Sequence, residues 1–291
     1  MSKLEFTHLD KVFFPQAKIT KGDLIEYYQA VAPTMLPYLK DRPHSLLRQP
    51  DGIKGEGFFQ KDMDHTPPGW LKTVKIRAES TGQDVHYLVV DSADALLYQV
   101  QLGCIEINPW NSRLGRLDKP DWLVIDLDPE AIGFGRVVET AQAVKTVTDE
   151  LKIPAYPKTS GKTGIHIFIP LGAKYTYKQA RVVAKSLVGL VHDRAQSFTS
   201  LERQPKQRQG KVYLDWLQNG EGQTLAAPYS VRPTPAASVS TPLHWDEVNG
   251  RLDPAKFTIK TAAKRLAAVG DLWKPVLGKG VDIKKTLAKL E

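Results

Sequence analysis

The centre of the sequence contains the run Trp122-Leu123-Val124-Ile125-Asp126-Leu127-Asp128-Pro129. Its first four residues are apolar and indicate a buried β-strand. Because residues i and i+2 of a strand project from the same face, Asp126 and Asp128 lie on one side, about 6.5 Å apart along the backbone, and Leu127 points toward the core. Pro129 is expected to end the strand. The pattern therefore predicts two neighbouring carboxylates at the end of a core strand.

A third acidic residue, Asp215, follows another strand-like run, Val212-Tyr213-Leu214. Two carboxylates about 5 Å apart repel by ~3 kcal/mol at an effective dielectric constant of 20, and a cation between them removes this repulsion. The chain has one cysteine and no H-E-x-x-H pair, which excludes disulfide frameworks and Cys-rich zinc sites. Three strand-end aspartates thus indicate magnesium or manganese, the metals of phosphate chemistry. An isolated D-x-D also fits two solvated aspartates at a turn.

A turn of small residues, Ser160-Gly161-Lys162-Thr163-Gly164, precedes the apolar run 165–169, which has His166 near its start. The turn is not a P-loop, because Tyr156 stands where that motif requires glycine and the next segment alternates like a strand. Its backbone N–H groups, the Ser160 hydroxyl and the nearby lysines are suited to binding phosphates. His166, between two isoleucines, also fits a hydrogen-bonded core histidine.

The composition predicts a folded protein, since 42% of the 291 residues are hydrophobic and 25% are charged. No apolar run approaches the ~20 residues of a membrane-spanning helix, and the N-terminus lacks the apolar stretch of a signal peptide. We therefore expect a cytoplasmic protein. The net charge of +8 is concentrated at the C-terminus, where residues 255–291 carry nine basic and three acidic residues. Such a segment fits a solvated helical face at least as well as a polyanion-binding surface.

Strand-like and helical patterns alternate along the chain. Beyond the runs already described, the sequence predicts strands at 87–90 and 104–107 and helices at 135–151 and 177–195. Thr20 is the expected N-cap of an earlier helix. This alternation is typical of α/β or α+β layers. The nearest feature to a domain seam is the Pro-, Ser- and Ala-rich stretch 226–242.

Three motifs in this order, D-L-D-P (126–129), S-G-K-T-G-I-H (160–166) and Y-L-D-W-L-Q-N (213–219), resemble those of the archaeo-eukaryotic primase superfamily. More closely, the chain resembles the polymerase domain of bacterial ATP-dependent DNA ligase D and its stand-alone relatives. The resemblance covers nearly the whole chain, including the flanking segments 9–12, 58–61, 230–232 and 257–259.

The resemblance implies an α+β fold of the primase type, with mixed β-sheets flanked by helices and the active site between two sub-layers. It implies a single primase-polymerase domain over residues 1–291. Residues 1–250 would form the catalytic core, and residues 251–291 a basic, largely helical segment packed on it.

The function implied is that of a template-dependent nucleotidyltransferase that fills gaps and extends ends in non-homologous end joining, often with ribonucleotides and manganese. Two Mn²⁺ or Mg²⁺ ions would promote in-line attack of a primer 3′-hydroxyl on the nucleotide α-phosphate. The implied partners are nucleoside triphosphates, gapped or 3′-overhang DNA with a 5′-phosphate, Ku and a ligase domain, with no membrane. The expected location is the cytoplasm, at the nucleoid.

The same resemblance assigns roles to individual residues. The metal ligands and catalytic residues are Asp126, Asp128 and Asp215. The nucleotide-binding residues are Ser160, Lys162, His166, Gln218, Arg232 and Asn108. The residues for the 5′-phosphate of a downstream DNA strand are Lys11 and Lys21, and those that stack on template bases are Phe58 and Phe59.

Two positions depart from the family pattern, which commonly has histidine where Asn108 and Asp62 stand. Asparagine can still hydrogen-bond a nucleotide but cannot carry a proton, so Asn108 is expected to affect rate or metal preference. The alternatives are a non-catalytic module that binds DNA ends and a metal-dependent nuclease. The three retained acids argue against the first. The 160–166 turn and Arg232, which suit a triphosphate better than a diester, argue against the second.

Overall fold

The computed structural model describes residues 4–63, 67–77, 82–208, 210–283 and 285. The chain forms two compact units, which we call the first unit (1–114, 224–240 and 255–270) and the second unit (115–223, 241–254 and 271–291). Chain crossings between the units at 223/224 and 240/241 lie close to the ends of the expected seam. The structure thus has two compact units. That both units form one catalytic domain stays a prediction.

The first unit contains three small antiparallel sheets. Its strands are β1 (Val12–Phe14), β2 (Ile19–Thr20), β3 (Arg42–His44), β4 (Leu46–Arg48), β5 (Phe58–Gln60), β6 (Thr73–Arg77) and β7 (Asp84–Val90). They pair as β1-β2, β3-β7-β6 and β4-β5. Helices α1 (Lys21–Leu39) and α2 (Ala93–Gln101) pack against each other in the core of this unit.

Helix α1 begins where the sequence predicts. The Thr20 hydroxyl accepts a hydrogen bond from the Asp23 N–H, and the Asp23 carboxylate accepts one from the Thr20 N–H, which makes a reciprocal capping box. Leu24, Tyr28 and Val31 follow at helical spacing and are fully buried. The predicted N-cap is therefore confirmed.

The strand predicted at 104–107 is wrong. The structure has no named strand there, and only Cys104 forms an isolated bridge, to Arg48. Several backbone groups of this segment bond to side chains: Tyr28 donates its hydroxyl to the Ile105 carbonyl, and Ile107 donates its N–H to the Ser230 hydroxyl. The Ile107 carbonyl accepts the Ala227 N–H. Side-chain and loop partners thus satisfy the buried backbone without a sheet neighbour.

The second unit is built on one five-stranded mixed sheet. Its strands and helices are β8 (Trp122–Pro129), α3 (Phe134–Glu150), β9 (Tyr156–Thr159), β10 (Ile165–Pro170), α4 (Tyr177–Ala195), β11 (Thr199–Ser200) and β12 (Val212–Asp215). The strand order is β11-β12-β8-β10-β9; β11 and β12 are parallel and the other neighbours are antiparallel. Helices α3 and α4 pack against β8 and each other. The predicted helices and the strands at 122–125, 165–169 and 212–214 are confirmed.

The D-L-D-P motif lies within β8, and Pro129 is the last residue of that strand, as predicted. Leu127 is fully buried, as expected from its position between the two aspartates. Later in the chain, helix α5 (Ile259–Val269) belongs to the first unit and packs against α1. No helix in the described part of the chain is long and apolar enough to span a lipid bilayer.

Candidate active site

The register of the second unit's sheet brings the predicted acids together. On β8, Asp126 lies directly opposite Asp215 of β12 on one side and opposite His166 of β10 on the other. Directly paired residues project from the same face, so the three side chains form a row across the sheet. Asp128, two residues along β8, shares that face.

The three aspartates form a compact carboxylate cluster. One oxygen from each of Asp126, Asp128 and Asp215 lies within 4.8 Å of the other two. Asp126 and Asp215 are only 4% and 8% exposed, so water screens their charges poorly. At such separations each pair repels by roughly 3 to 4 kcal/mol at an effective dielectric constant of 20. Three converging oxygens with no nearby thiolate fit a hard divalent cation such as Mg²⁺ or Mn²⁺.

The loop after β12 fixes the orientation of Asp215. One carboxylate oxygen accepts the Leu217 N–H at 2.7 Å, and the other accepts the Gln218 side-chain amide at 3.2 Å. Gln218 therefore lies beside the acidic cluster, as the resemblance implies. Asn219, 2% exposed, bonds to both the N–H and the carbonyl of Val124 at 2.7 Å. This amide ties the loop to β8 next to Asp126. Nothing in the sequence around Asn219 indicates this positioning contact.

The turn at 160–164 is closed by the Ser160 side chain. The hydroxyl of Ser160 accepts hydrogen bonds from the N–H groups of Lys162 and Gly164, and Ser160 donates its own N–H to the Gly164 carbonyl. These N–H groups were expected to face phosphate, but in this structure they serve the turn itself. Lys162, in the middle of the turn, is exposed. Binding of the triphosphate by Ser160 and Lys162 stays a prediction.

Two glycines are required for this turn. Gly161 has φ of +76°, in the left-handed region that favours glycine. A Cβ atom at Gly164 would lie 2.4 Å from the carbonyl oxygen of Leu127, which is too close for any side chain. The absence of a side chain at Gly164 therefore lets the turn approach β8 between the two aspartates.

His166 is a buried neighbour of the carboxylates. It is 3% exposed, and its Nε2 lies 3.3 Å from an Asp126 oxygen. It is therefore a hydrogen-bonded core histidine that also faces the acidic cluster. Its binding of the triphosphate stays a prediction.

The first unit contains the two other residues assigned to the nucleotide. Arg232 donates through Nε to Glu106 at 2.8 Å, in an ion pair whose side chains are both 11% exposed. Asn108 is 5% exposed, and its backbone carbonyl accepts the Ser45 N–H. Their part in binding the triphosphate stays a prediction.

Lys11 and Lys21 line a single cavity of about 260 Å³ in the first unit. Lys21 is buried and donates to the Thr7 carbonyl at 3.0 Å, whereas Lys11 pairs with Asp51. Burial, and secondly the charge of Lys11, lower the pKa of Lys21 below its ordinary value. A buried ammonium beside a second cation is stabilised by an anionic ligand. Binding of a 5′-phosphate by these two lysines stays a prediction.

Phe58 and Phe59 are exposed on the β4-β5 ribbon, at 48% and 66% of their maximal area. The Arg48 guanidinium lies 5.3 Å from the centre of the Phe58 ring. Exposed aromatic rings of this kind offer stacking surfaces for unpaired bases. Asp62, the second departure from the family pattern, faces His86: its carboxylate accepts the His86 N–H and lies 3.3 Å from Nδ1.

Comparison with known proteins identifies the class. Residues 20–273 match the family described as LigD, primase-polymerase domain. A solved structure, the polymerase domain from Mycobacterium tuberculosis ligase D in complex with DNA, superposes with a TM-score of 0.86 at 28% identity, covering 97% of this chain and 100% of that one. The chain therefore belongs to the LigD primase-polymerase domain family, and the predicted primase-type α+β fold is confirmed.

Two curated relatives show the same relationship. The chain is 35% identical over 270 residues to the bifunctional non-homologous end joining protein LigD of Bacillus subtilis, covering 92% of this chain and 43% of that protein. It is 32% identical over 283 residues to the multifunctional non-homologous end joining protein LigD of Pseudomonas aeruginosa, covering 94% and 33%. The chain thus spans less than half the length of these relatives.

Proposed function

We propose that this chain is a metal-dependent, template-directed nucleotidyltransferase that fills gaps and extends ends in non-homologous end joining. The observation that carries the proposal is the convergence of Asp126, Asp128 and Asp215 on one face of the five-stranded sheet. Membership of the LigD primase-polymerase family supports it.

The chemistry follows from the donor set. The three carboxylates would hold two Mn²⁺ or Mg²⁺ ions, which would supply the charge needed to lower the pKa of a primer 3′-hydroxyl and to neutralise the α-phosphate. The 3′-oxygen would attack that phosphorus in line as its bond to pyrophosphate breaks. The protein's own part is to keep the carboxylates converged. The Leu217 and Gln218 contacts orient Asp215, and the Asn219 bonds hold the same loop to β8.

Residues from both units are assigned to the triphosphate. Ser160, Lys162 and His166 from the 160–166 segment would bind the phosphates, with Gln218 beside the metal site. Arg232 would contribute a planar cation that can form two parallel hydrogen bonds to phosphate. Asn108 would contact the nucleotide through its amide.

DNA recognition is assigned to the first unit. Lys11 and Lys21 would bind the 5′-phosphate at the far side of a gap, and Phe58 and Phe59 would stack on template bases. The related polymerase domain solved with DNA supports DNA binding by this family. A preference for ribonucleotides, association with Ku and a ligase domain, and a place at the nucleoid in the cytoplasm complete the proposal.

The test is primer extension on a gapped duplex with a 5′-phosphate, in Mn²⁺, with ribo- and deoxynucleotides supplied separately. We expect the unmodified protein to add nucleotides and Asp126→Ala to lose addition while still binding DNA. The matched control is Asp193→Ala, which removes an exposed carboxylate from α4 in the same unit and should leave addition unchanged.

The alternatives give different results. Retained extension by Asp126→Ala would contradict the metal assignment. No extension by the unmodified protein, with tight binding that depends on the 5′-phosphate, would indicate an end-binding module. Degradation of the primer in Mn²⁺, without binding of a nucleoside triphosphate, would indicate a nuclease.

A further inference from the structure

Lys158 is a fully buried lysine that the proposed chemistry does not use. It lies on β9 with 0% exposure, directly opposite His166 of β10. The row described above therefore extends across four strands, as Lys158, His166, Asp126 and Asp215. Lysine is almost never fully buried unless it is paired. The groups around Lys158 must therefore compensate for its lost solvation.

The contacts of Lys158 suit a charged ammonium. Its Nζ lies 5.7 Å from the centre of the Phe168 ring and 5.9 Å from that of Trp273, within the range of cation–π attraction. Trp273 is held in place by a hydrogen bond from its Nε1 to the Pro157 carbonyl. Aromatic faces thus replace part of the solvation that the ammonium loses on burial.

The ammonium also fixes the hydrogen-bonding state of His166. Its Nζ lies 2.8 Å from Nδ1 of the imidazole. An ammonium has three donors and no acceptor, so Nδ1 must accept. A neutral imidazole that accepts at Nδ1 carries its proton at Nε2, the atom 3.3 Å from Asp126. The opposite tautomer would present a lone pair to a carboxylate, and an imidazolium would place two donors face to face at Nδ1.

We infer that Lys158 is a positioning residue that holds His166 in its Nε2–H tautomer and keeps that ring against the Asp126 carboxylate, 3.3 Å away, in the metal site. The same N–H is the donor that a bound triphosphate would require. Partners that directly orient a metal ligand typically change metal affinity or activity by 10- to 100-fold when removed. His166 holds that place beside Asp126, and Lys158 acts through it. The expected effect on nucleotide addition rests on the proposed function. The tautomer of His166 can be tested independently of that function.

The tautomer is measured first, in metal-free protein labelled with ¹⁵N at histidine rings. His166→Gln assigns the His166 signals by their loss. We expect the ring nitrogen shifts of an Nε2–H tautomer in the unmodified protein and a mixed or Nδ1–H pattern in Lys158→Met, which keeps the apolar stem and removes the donors. An Nδ1–H tautomer in the unmodified protein, or an unchanged tautomer in the variant, would overturn the inference.

The second readout is Mn²⁺ binding, followed by electron paramagnetic resonance with the metal alone. Lys158→Met should weaken Mn²⁺ 10- to 100-fold and lower kcat for nucleotide addition more than it raises KM. Lys178→Met, an exposed position on α4, is the matched control and should change neither. If the unmodified protein adds no nucleotide, the proposed function fails; unchanged Mn²⁺ affinity in Lys158→Met would defeat the positioning role by itself.

Discussion

At the scale of single residues, Lys21 has a charge that the protein stabilises poorly by itself. Burial and the neighbouring Lys11 both lower the pKa of Lys21, and the cavity that the two lysines line is large enough for a phosphate group. A dianionic phosphate would supply the missing counter-charge.

We expect Lys11→Ala and Lys21→Ala to lose the preference for gapped DNA with a 5′-phosphate over the same DNA without it. The slope of log affinity against log salt should become shallower by about 1 for each lysine removed. Binding is measured by fluorescence anisotropy at several salt concentrations, with exposed Lys40→Ala as the control in the same unit. Equal affinity of the unmodified protein for both DNAs would contradict the assignment.

The residues of the acidic site differ in how visible they are in the sequence. Asp126 and Asp128 stand out because two charges follow an uninterrupted apolar run. Asn219 and Lys158 do not, because an asparagine in a loop and a lysine in a short segment are ordinary surface residues until the fold buries them. Their importance comes from partners 95 and 8 positions away.

At the scale of elements, the turn before β10 depends on a glycine. In Gly164→Ala the new Cβ would meet the Leu127 carbonyl at 2.4 Å, so either the turn or β8 must move. We expect a loss of about 1 to 3 kcal/mol in the free energy of unfolding, measured by urea denaturation, and weaker binding of a nucleoside triphosphate.

Gly189→Ala is the matched control, because this position on α4 has no atom within 4 Å of an added Cβ. Alanine in the middle of a helix should raise stability by roughly 0.5 to 1 kcal/mol. Equal effects of the two substitutions would show that close approach to Leu127 is not what requires glycine at 164.

Strand β3 carries a buried histidine that makes the first unit sensitive to acid. Burial lowers the pKa of His44 from 6.5 to about 3, and its Nδ1 lies 3.1 Å from the Gln99 side-chain oxygen. Between these two values the unfolded chain binds a proton that the folded protein does not, so stability falls as pH decreases from 6.5 toward 3. The slope approaches about 1.4 kcal/mol per pH unit.

We therefore expect the unfolding free energy from urea titrations at pH 7, 6 and 5 to fall less steeply in His44→Gln than in the unmodified protein. The other histidines are common to both proteins, so their effects cancel in the comparison. Parallel pH dependence in the two proteins would contradict the assigned pKa of His44.

The sequence predicts elements better than it predicts their pairing. Long apolar runs identify β8, β10 and β12, and cap residues identify α1, because these signals are local. The register that sets Asp126 between His166 and Asp215 joins segments 40 and 89 residues away, and is fixed by packing of the whole sheet. The wrong strand at 104–107 has a related cause, since Tyr28 and Ser230, distant in sequence, bond to its backbone.

At the scale of the whole molecule, the assigned functions divide between the two units. The carboxylate cluster, the 160–164 turn and the Lys158 row belong to the second unit, and the lysine cavity and the exposed Phe58 and Phe59 belong to the first. Most of the net charge of +8 lies in residues 255–291, where Lys260 donates to the Ala17 carbonyl near α1. Overall charge alone therefore does not locate the DNA-binding surface.

The proposed function requires that Asp126, Asp128 and Asp215 act together as one metal site. The most direct measurement is Mn²⁺ binding by electron paramagnetic resonance in the unmodified protein, Asp126→Asn and Asp215→Asn, with Asp193→Asn as control. We predict that the unmodified protein and the control bind Mn²⁺ alike, and that each site variant loses more than about tenfold in affinity because a charged oxygen ligand is lost. Equal Mn²⁺ affinity in all four proteins would contradict the claim.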